Sequence, residues 1–131
     1  MRIVFDTNVI LSGFLTVTGI SEYIFALGIK RHEVILSDYI VSEIKKKLAS
    51  KLKFPPAKTL LLVDFLYKHC AVLKVKTNPA IHFKDKKDIP ILSLLEAARP
   101  DCLITGDKAL LSLKKFGTTL ILSPREALEI L

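Results

Sequence analysis

Short runs of β-branched and aliphatic residues alternate along this chain with longer apolar segments of helical period, the pattern of an α/β fold built on a parallel sheet. Five strands are expected, over Ile3 to Phe5, Val34 to Leu36, Val72 to Val75, Cys102 to Thr105 and Leu120 to Leu122, each followed by a helical pattern. Helices are expected to begin near Asn8, Ser21, Asp38, Pro56, Asp88, Lys108 and Pro124, most with a cap or first-turn residue such as Asp38, Asp88, Asp107 or Ser123. The stretch Lys76 to Lys87, with Asn78-Pro79 and Lys84-Asp85-Lys86-Lys87, reads as a loop near the site. It is not a domain boundary, because neither flank would make a comfortable core alone, so residues 1–131 are read as one domain.

Composition supports a single buried core: half of the 131 residues are apolar, enough to fold without disulfides or structural metal. The apolar start is interrupted at Asp6 and Asn8, too soon for a signal sequence or a membrane span, so a soluble cytoplasmic protein is expected. Cys70 and Cys102 read as small buried apolar residues rather than a bridge. His32, His69 and His82 lack metal-ligand spacing and a nucleophile partner, which argues against a zinc site or a catalytic triad. The 20 basic and 13 acidic residues give +7, which by itself implies only a general attraction to polyanions. Charge becomes more informative if four acids share one pocket, because nine then remain against 20 bases, a surface excess of +11.

Two carboxylates have a positional argument. Asp6 directly follows the first expected strand and Asp107 follows the fourth, and open α/β sheets bind ligands outside the carboxyl ends of their strands, where strand order reverses. If strands one and four are neighbours, these acids converge. Each also fits a helix cap or a turn. Asp88 opens an almost continuously apolar helix, where it could cap the first turn or serve as a ligand whose ionised form the helix N-terminus favours. Glu43 lies inside the helix from Asp38 and cannot cap it. It sits at the edge of the stripe Ile40, Val41, Ile44 and Leu48, where an i,i+4 pair with Lys47 competes with a role in a site.

Gathering such carboxylates would cost roughly 1 to 4 kcal/mol for each close pair unless a cation neutralises them. All-oxygen donors without clustered His or Cys select hard ions such as Mg²⁺ or Mn²⁺, whose chemistry is hydrolysis of a phosphate ester. A phosphotransferase with Asp6 as nucleophile would want a second Asp two positions on as general acid, and Asn8 there cannot transfer a proton. Lys45, Lys46 and Lys47, with Lys51 and Lys53, form either a solvated helix face and linker or a phosphate track leading to the pocket.

The ordered set Ile3-Val4-Phe5-Asp6-Thr7-Asn8-Val9, a mid-helix Glu43, Lys87-Asp88-Ile89-Pro90-Ile91-Leu92 and Ile104-Thr105-Gly106-Asp107-Lys108-Ala109-Leu110-Leu111 resembles the PIN domain family over the whole chain. The closing Leu122-Ser123-Pro124-Arg125-Glu126 adds a resemblance to prokaryotic PIN proteins classed as toxins of toxin–antitoxin pairs. That resemblance implies a three-layer α/β/α sandwich with five parallel strands in the order 3-2-1-4-5. It implies a Mg²⁺- or Mn²⁺-dependent ribonuclease, holding one or two ions, with a cognate antitoxin and a homodimeric state. Its acidic site maps onto Asp6, Glu43, Asp88 and Asp107, with Asn8 and Thr105 as supporting polar residues and Lys45, Lys46 and Lys108 as candidate RNA contacts. Apolar stretches at Ile20 to Leu27 and Leu60 to Leu66 could supply either a dimer interface or core. Two departures from the family pattern stand out. Asp85 competes with Asp88 for the third acidic position, and Ala109 occupies a position where many relatives carry a further acid. A binding module that keeps the pocket but cuts nothing is the competing reading.

Overall fold

A computed structural model describes residues 1–16 and 19–131. Its sheet begins with β1 (Arg2–Phe5), whose last three residues are completely buried. A strand covered on both faces belongs at the centre of a layered α/β sheet, and β1 pairs in parallel with β2 (Glu33–Ser37) on one side and β4 (Cys102–Ile104) on the other. The parallel strands follow the order β3-β2-β1-β4-β6, with β3 spanning Ala71–Leu73 and β6 spanning Thr119–Leu122.

The expected order of the five parallel strands holds, with one addition. A sixth strand, β5 (Lys115–Phe116), runs antiparallel at the edge beside β6. Two residues carry no readable alternation, so only the turn could have announced it. Gly117, at φ +61°, is the first residue of a two-residue hairpin loop, where positive φ is required. The third strand also starts and ends earlier than the expected Val72 to Val75.

Steps from β1 to β2 and from β2 to β3 move one way across the sheet, and the step from β3 to β4 moves back. Right-handed crossovers therefore put α1 (Thr7–Leu15), α2 (Ile20–Arg31), α3 (Asp38–Ser50) and α4 (Pro56–His69) on one face and α5 (Ile89–Ala98) on the other, three layers in all. The short α6 (Lys108–Leu111) and α7 (Pro124–Ala127) flank β6. Local signals set the helix starts. Ser37 caps α3 by accepting from Ile40 N, and Ser123 and Glu126 form a reciprocal capping box on α7.

The apolar stretches considered for an interface divide. In α2, Ile24 and Phe25 are core, whereas in α4 Leu60 and Leu61 point outward. Both cysteines are free, and burial pushes their thiols up, to about 12 for Cys70 and about 11 for Cys102, which suits unreactive packing groups. No single helix among the described residues is long and apolar enough to cross a membrane.

Candidate functional site

Register carries Asp6 to Thr105. Phe5 pairs with Ile104, so the residues after them leave the sheet side by side, and Asp6 N donates to the Ile104 carbonyl at 2.9 Å. Asp6 then caps α1, its Oδ1 accepting from Thr7 N at 2.7 Å. Its Oδ2 accepts from the Thr105 hydroxyl, also at 2.7 Å, and the same hydroxyl oxygen accepts from Asp107 N at 3.0 Å. Thr105, wholly buried, thus fixes both strand-end acids with one side chain. Burial raises the Asp6 carboxyl above its ordinary range even though the bonds from Thr105 and Thr7 pull it down.

Asp6 and Asp107 line a cleft of about 280 Å³ with Glu43, Asp88, Thr7, Asn8, Tyr39, Lys47 and Lys87. The four acids singled out from sequence therefore meet in one place. Asp88 reaches it from a 3-10 turn (Lys86–Asp88) just ahead of α5, and it makes no capping bond there. Asp88 therefore sits at the N-cap position of α5, but of its two readings the side-chain cap is not made and the carboxylate stays available to the cleft. Asp107 does cap α6, accepting weakly from Ala109 N at 3.4 Å.

Asp88 is only 5% exposed, and burial first, then the neighbouring Asp107, pushes its carboxyl up to about 8. Asp88 Oδ2 and Asp107 Oδ2 are both buried without a hydrogen-bond partner. Asp85, Asp88 and Asp107 can each offer an oxygen within 4.8 Å of the others. Such a set either takes up a proton or takes a cation, and hard oxygen donors with idle lone pairs fit Mg²⁺ or Mn²⁺. Asp85 and Asp88 do not exclude one another. Asp88 is buried, while Asp85 lies at the rim in an ion pair with Lys87 at 3.6 Å.

Helix α3 supplies the opposite wall through Tyr39, Glu43 and Lys47, spaced by four and so aligned on one face. The expected Glu43–Lys47 pair does not form. Among the described residues the ion pairs are Arg2–Glu33 and Lys87–Asp85. Glu43 Oε1 instead accepts from the Tyr39 hydroxyl at 3.2 Å, while Lys47 Nζ donates to Asn8 Oδ1 at 2.9 Å. Burial raises the Tyr39 phenol, reinforced by Glu43, so it remains a donor at neutral pH.

Tyr39, Lys47 and Lys87 were not singled out as pocket residues from sequence, although the i, i+4, i+8 spacing around Glu43 was a usable signal for the first two. Lys45, Lys46 and Lys108 lie exposed outside the pocket lining, and the three histidines are likewise outside it. Replacing Thr105 with valine, nearly the same size, is expected to cost about 1–3 kcal/mol of stability. It should also weaken Mn²⁺ binding by roughly 10- to 100-fold through the loss of orientation of the two acids. Melting curves and calorimetric titration would check both effects, and unchanged Mn²⁺ affinity would show that the hydroxyl orients neither acid.

The PIN domain model matches residues 2–109, a span that includes all four acids. By structure the chain is similar to the crystal structure of VapBC2 from Rickettsia felis bound to a DNA fragment from their promoter. That match has a TM-score of 0.66 and 12% identity, and covers 94% of this chain and 98% of that one. No curated protein matches the sequence. A family match over most of the chain, on a sheet whose central strand ends deliver Asp6 and Asp107 to one acidic cleft, shows that this protein belongs to the PIN domain family.

Proposed function

We propose that this protein is a Mg²⁺- or Mn²⁺-dependent endoribonuclease that hydrolyses RNA phosphodiester bonds in the acidic cleft, acting as the toxin of a toxin–antitoxin pair. The observation that carries the reading is the pair of buried, unpartnered oxygens on Asp88 and Asp107 in a pocket whose anionic donors are all carboxylate oxygens, on a chain with net charge +7. Asp6, Asp88 and Asp107 would hold the ion. Glu43, kept in place by Tyr39, stands across the cleft to orient water or a further ion. When bound, a divalent ion supplies acidification of water and stabilisation of charge on the phosphoryl and leaving oxygens.

The chain's own residues do the rest. Thr105 and the α1 backbone orient Asp6 and partly offset the effect of its burial, and Asn8 holds Lys47 at the lip. Exposed Lys45, Lys46 and Lys108 would draw the RNA backbone toward the cleft, making association fall with salt. Likeness to VapBC2 supports an antitoxin partner, and outward-facing Leu60 and Leu61 on α4 support a homodimer.

Purified protein incubated with end-labelled RNA is expected to cut it with millimolar Mn²⁺ and to stop on addition of EDTA. The same Mn²⁺ should raise the melting temperature, because an ion that binds only the folded state stabilises it. Protein that binds the RNA and shows the melting shift but leaves the RNA intact would support a non-catalytic binding module. Absence of both cleavage and shift would overturn the metal site itself.

A further inference from the structure

Lys47 stands in an unusual setting for a lysine beside four acids. From its place on α3 the helix offers it Glu43 one turn back, in the orientation that favours an i,i+4 pair. Asp6 is near enough for the ammonium to lower its carboxyl. Yet Lys47 forms an ion pair with neither, and its Nζ donates instead to a neutral acceptor, Asn8 Oδ1, at 2.9 Å. An ammonium has three donors, so this one solvent-exposed bond orients it, while no carboxylate pairs with it at contact distance and two donors stay available for a ligand.

The remaining bases around the cleft are held differently. Lys87 is 72% exposed at its side chain and paired with Asp85, and Lys45 and Lys46 are exposed outside the lining. The pocket therefore has two electrostatic halves. On one side Asp85, Asp88 and Asp107 bring carboxylate oxygens together, with Asp88 Oδ2 and Asp107 Oδ2 idle. On the other, Asp6 has each oxygen engaged by a backbone or hydroxyl donor and is accompanied by a restrained, unpaired ammonium.

We propose that Lys47, positioned by Asn8, contacts the scissile phosphate directly, so that the cleft grips a phosphodiester between a divalent cation held by Asp6, Asp88 and Asp107 and an ammonium on the Asn8 side. The proposal rests on the nuclease reading above and adds a substrate-contacting cation to it. A fixed donor aimed where charge develops contributes more to turnover than to binding, because it needs no reorganisation during the reaction.

The test compares full-length wild type with Lys47→Gln, Lys47→Arg and, as control, Lys46→Gln. Glutamine keeps a donor for Asn8 but removes the charge. Lys47→Gln is expected to lower kcat for a labelled single-stranded RNA with Mn²⁺ by about 100-fold. Its Mn²⁺ midpoint, read from melting curves, should stay the same or fall to a lower concentration, since a like charge has left the pocket. Lys47→Arg should recover part of kcat, and Lys46→Gln should change KM in a salt-dependent way while sparing kcat. A lysine that merely supports the fold would show a lower melting temperature and little change in kcat. That result, or equal behaviour of Lys47→Gln and Lys46→Gln, would overturn the proposal while wild-type cleavage still supported the nuclease. Wild type inert toward RNA in Mn²⁺ would overturn both.

Discussion

Asp88→Asn is expected to reduce Mn²⁺-dependent RNA cleavage by about three orders of magnitude and, in the metal-free protein, to raise the melting temperature at pH 8. The activity loss corresponds to several kcal/mol of charge stabilisation removed with the ion, at 1.36 kcal/mol for each factor of ten. The stability gain follows from the wild-type carboxyl, which burial and Asp107 push up to about 8 from an ordinary value of 3.8. Because the folded state binds this proton more tightly than the unfolded one, its contribution is fully present below about pH 4 and is lost as pH rises through 8. Metal-free wild type should therefore melt at progressively lower temperature from pH 5 to pH 8. Asp88→Asn should flatten that slope, leaving a remainder from Asp6, whose carboxyl is also raised by burial. Adding Mn²⁺ at pH 8 should restore the wild type and leave the variant unmoved. A variant with the same pH slope as wild type would show that Asp88 does not carry the penalty, and one that still cuts at more than a tenth of the wild-type rate would remove it from the site.

The largest expected stability effect lies one residue before the site. Phe5 is wholly buried, with its ring edge-to-face on Phe25 at 5.1 Å and 89°, and Phe25 in turn meets Phe14 at 5.9 Å. Helix α2 comes down on this ring through Gly28, where an added Cβ would lie 2.9 Å from Phe5 Cε2. The ring thus fills the space under Gly28, between Val34 and Phe25. Phe5→Ala is expected to cost about 3–5 kcal/mol through lost transfer energy and the cavity left under α2. On a total stability of roughly 5–15 kcal/mol that is a large share. It should appear as a fall of roughly 10–20 °C in melting temperature for a chain of this size. Mn²⁺ binding should weaken in parallel, because Asp6 follows Phe5 directly. A loss below about 1.5 kcal/mol in urea melts would mean that the surrounding core closes over the gap.

The strand ends and their acids were legible in the sequence. The run before Asp6 named a buried strand, and the matching position of Asp107 after another strand predicted convergence, which the parallel pairing of β1 and β4 delivers. Asp88 and Glu43 were placed by resemblance alone, because one lies on a loop-to-helix turn and the other at the margin of an apolar stripe. Neither geometry has a signature in hydrophobic period. The sequence also offered Glu43 a partner, Lys47, at ideal helical spacing, but two tertiary contacts prevailed, Tyr39 taking the carboxylate and Asn8 the ammonium. Asn8 comes from a helix 39 positions away from Lys47 in the chain, a distance local reasoning cannot bridge. Strand β5 escaped for the opposite reason, being only two residues long.

The hydrogen bond from Thr105 to Asp6 joins residues 99 positions apart, and it has a bearing on when the protein can act. During synthesis or refolding, β1 can pair with β2 long before β4 exists, so Asp6 and Glu43 can be in place early. Asp88, Thr105 and Asp107 arrive only with the second half of the chain. Until β4 inserts beside β1, half of the acids and the hydroxyl that orients the strand-end pair are missing. The complete cleft depends on a contact of long loop closure, and a partly made chain carries no complete site.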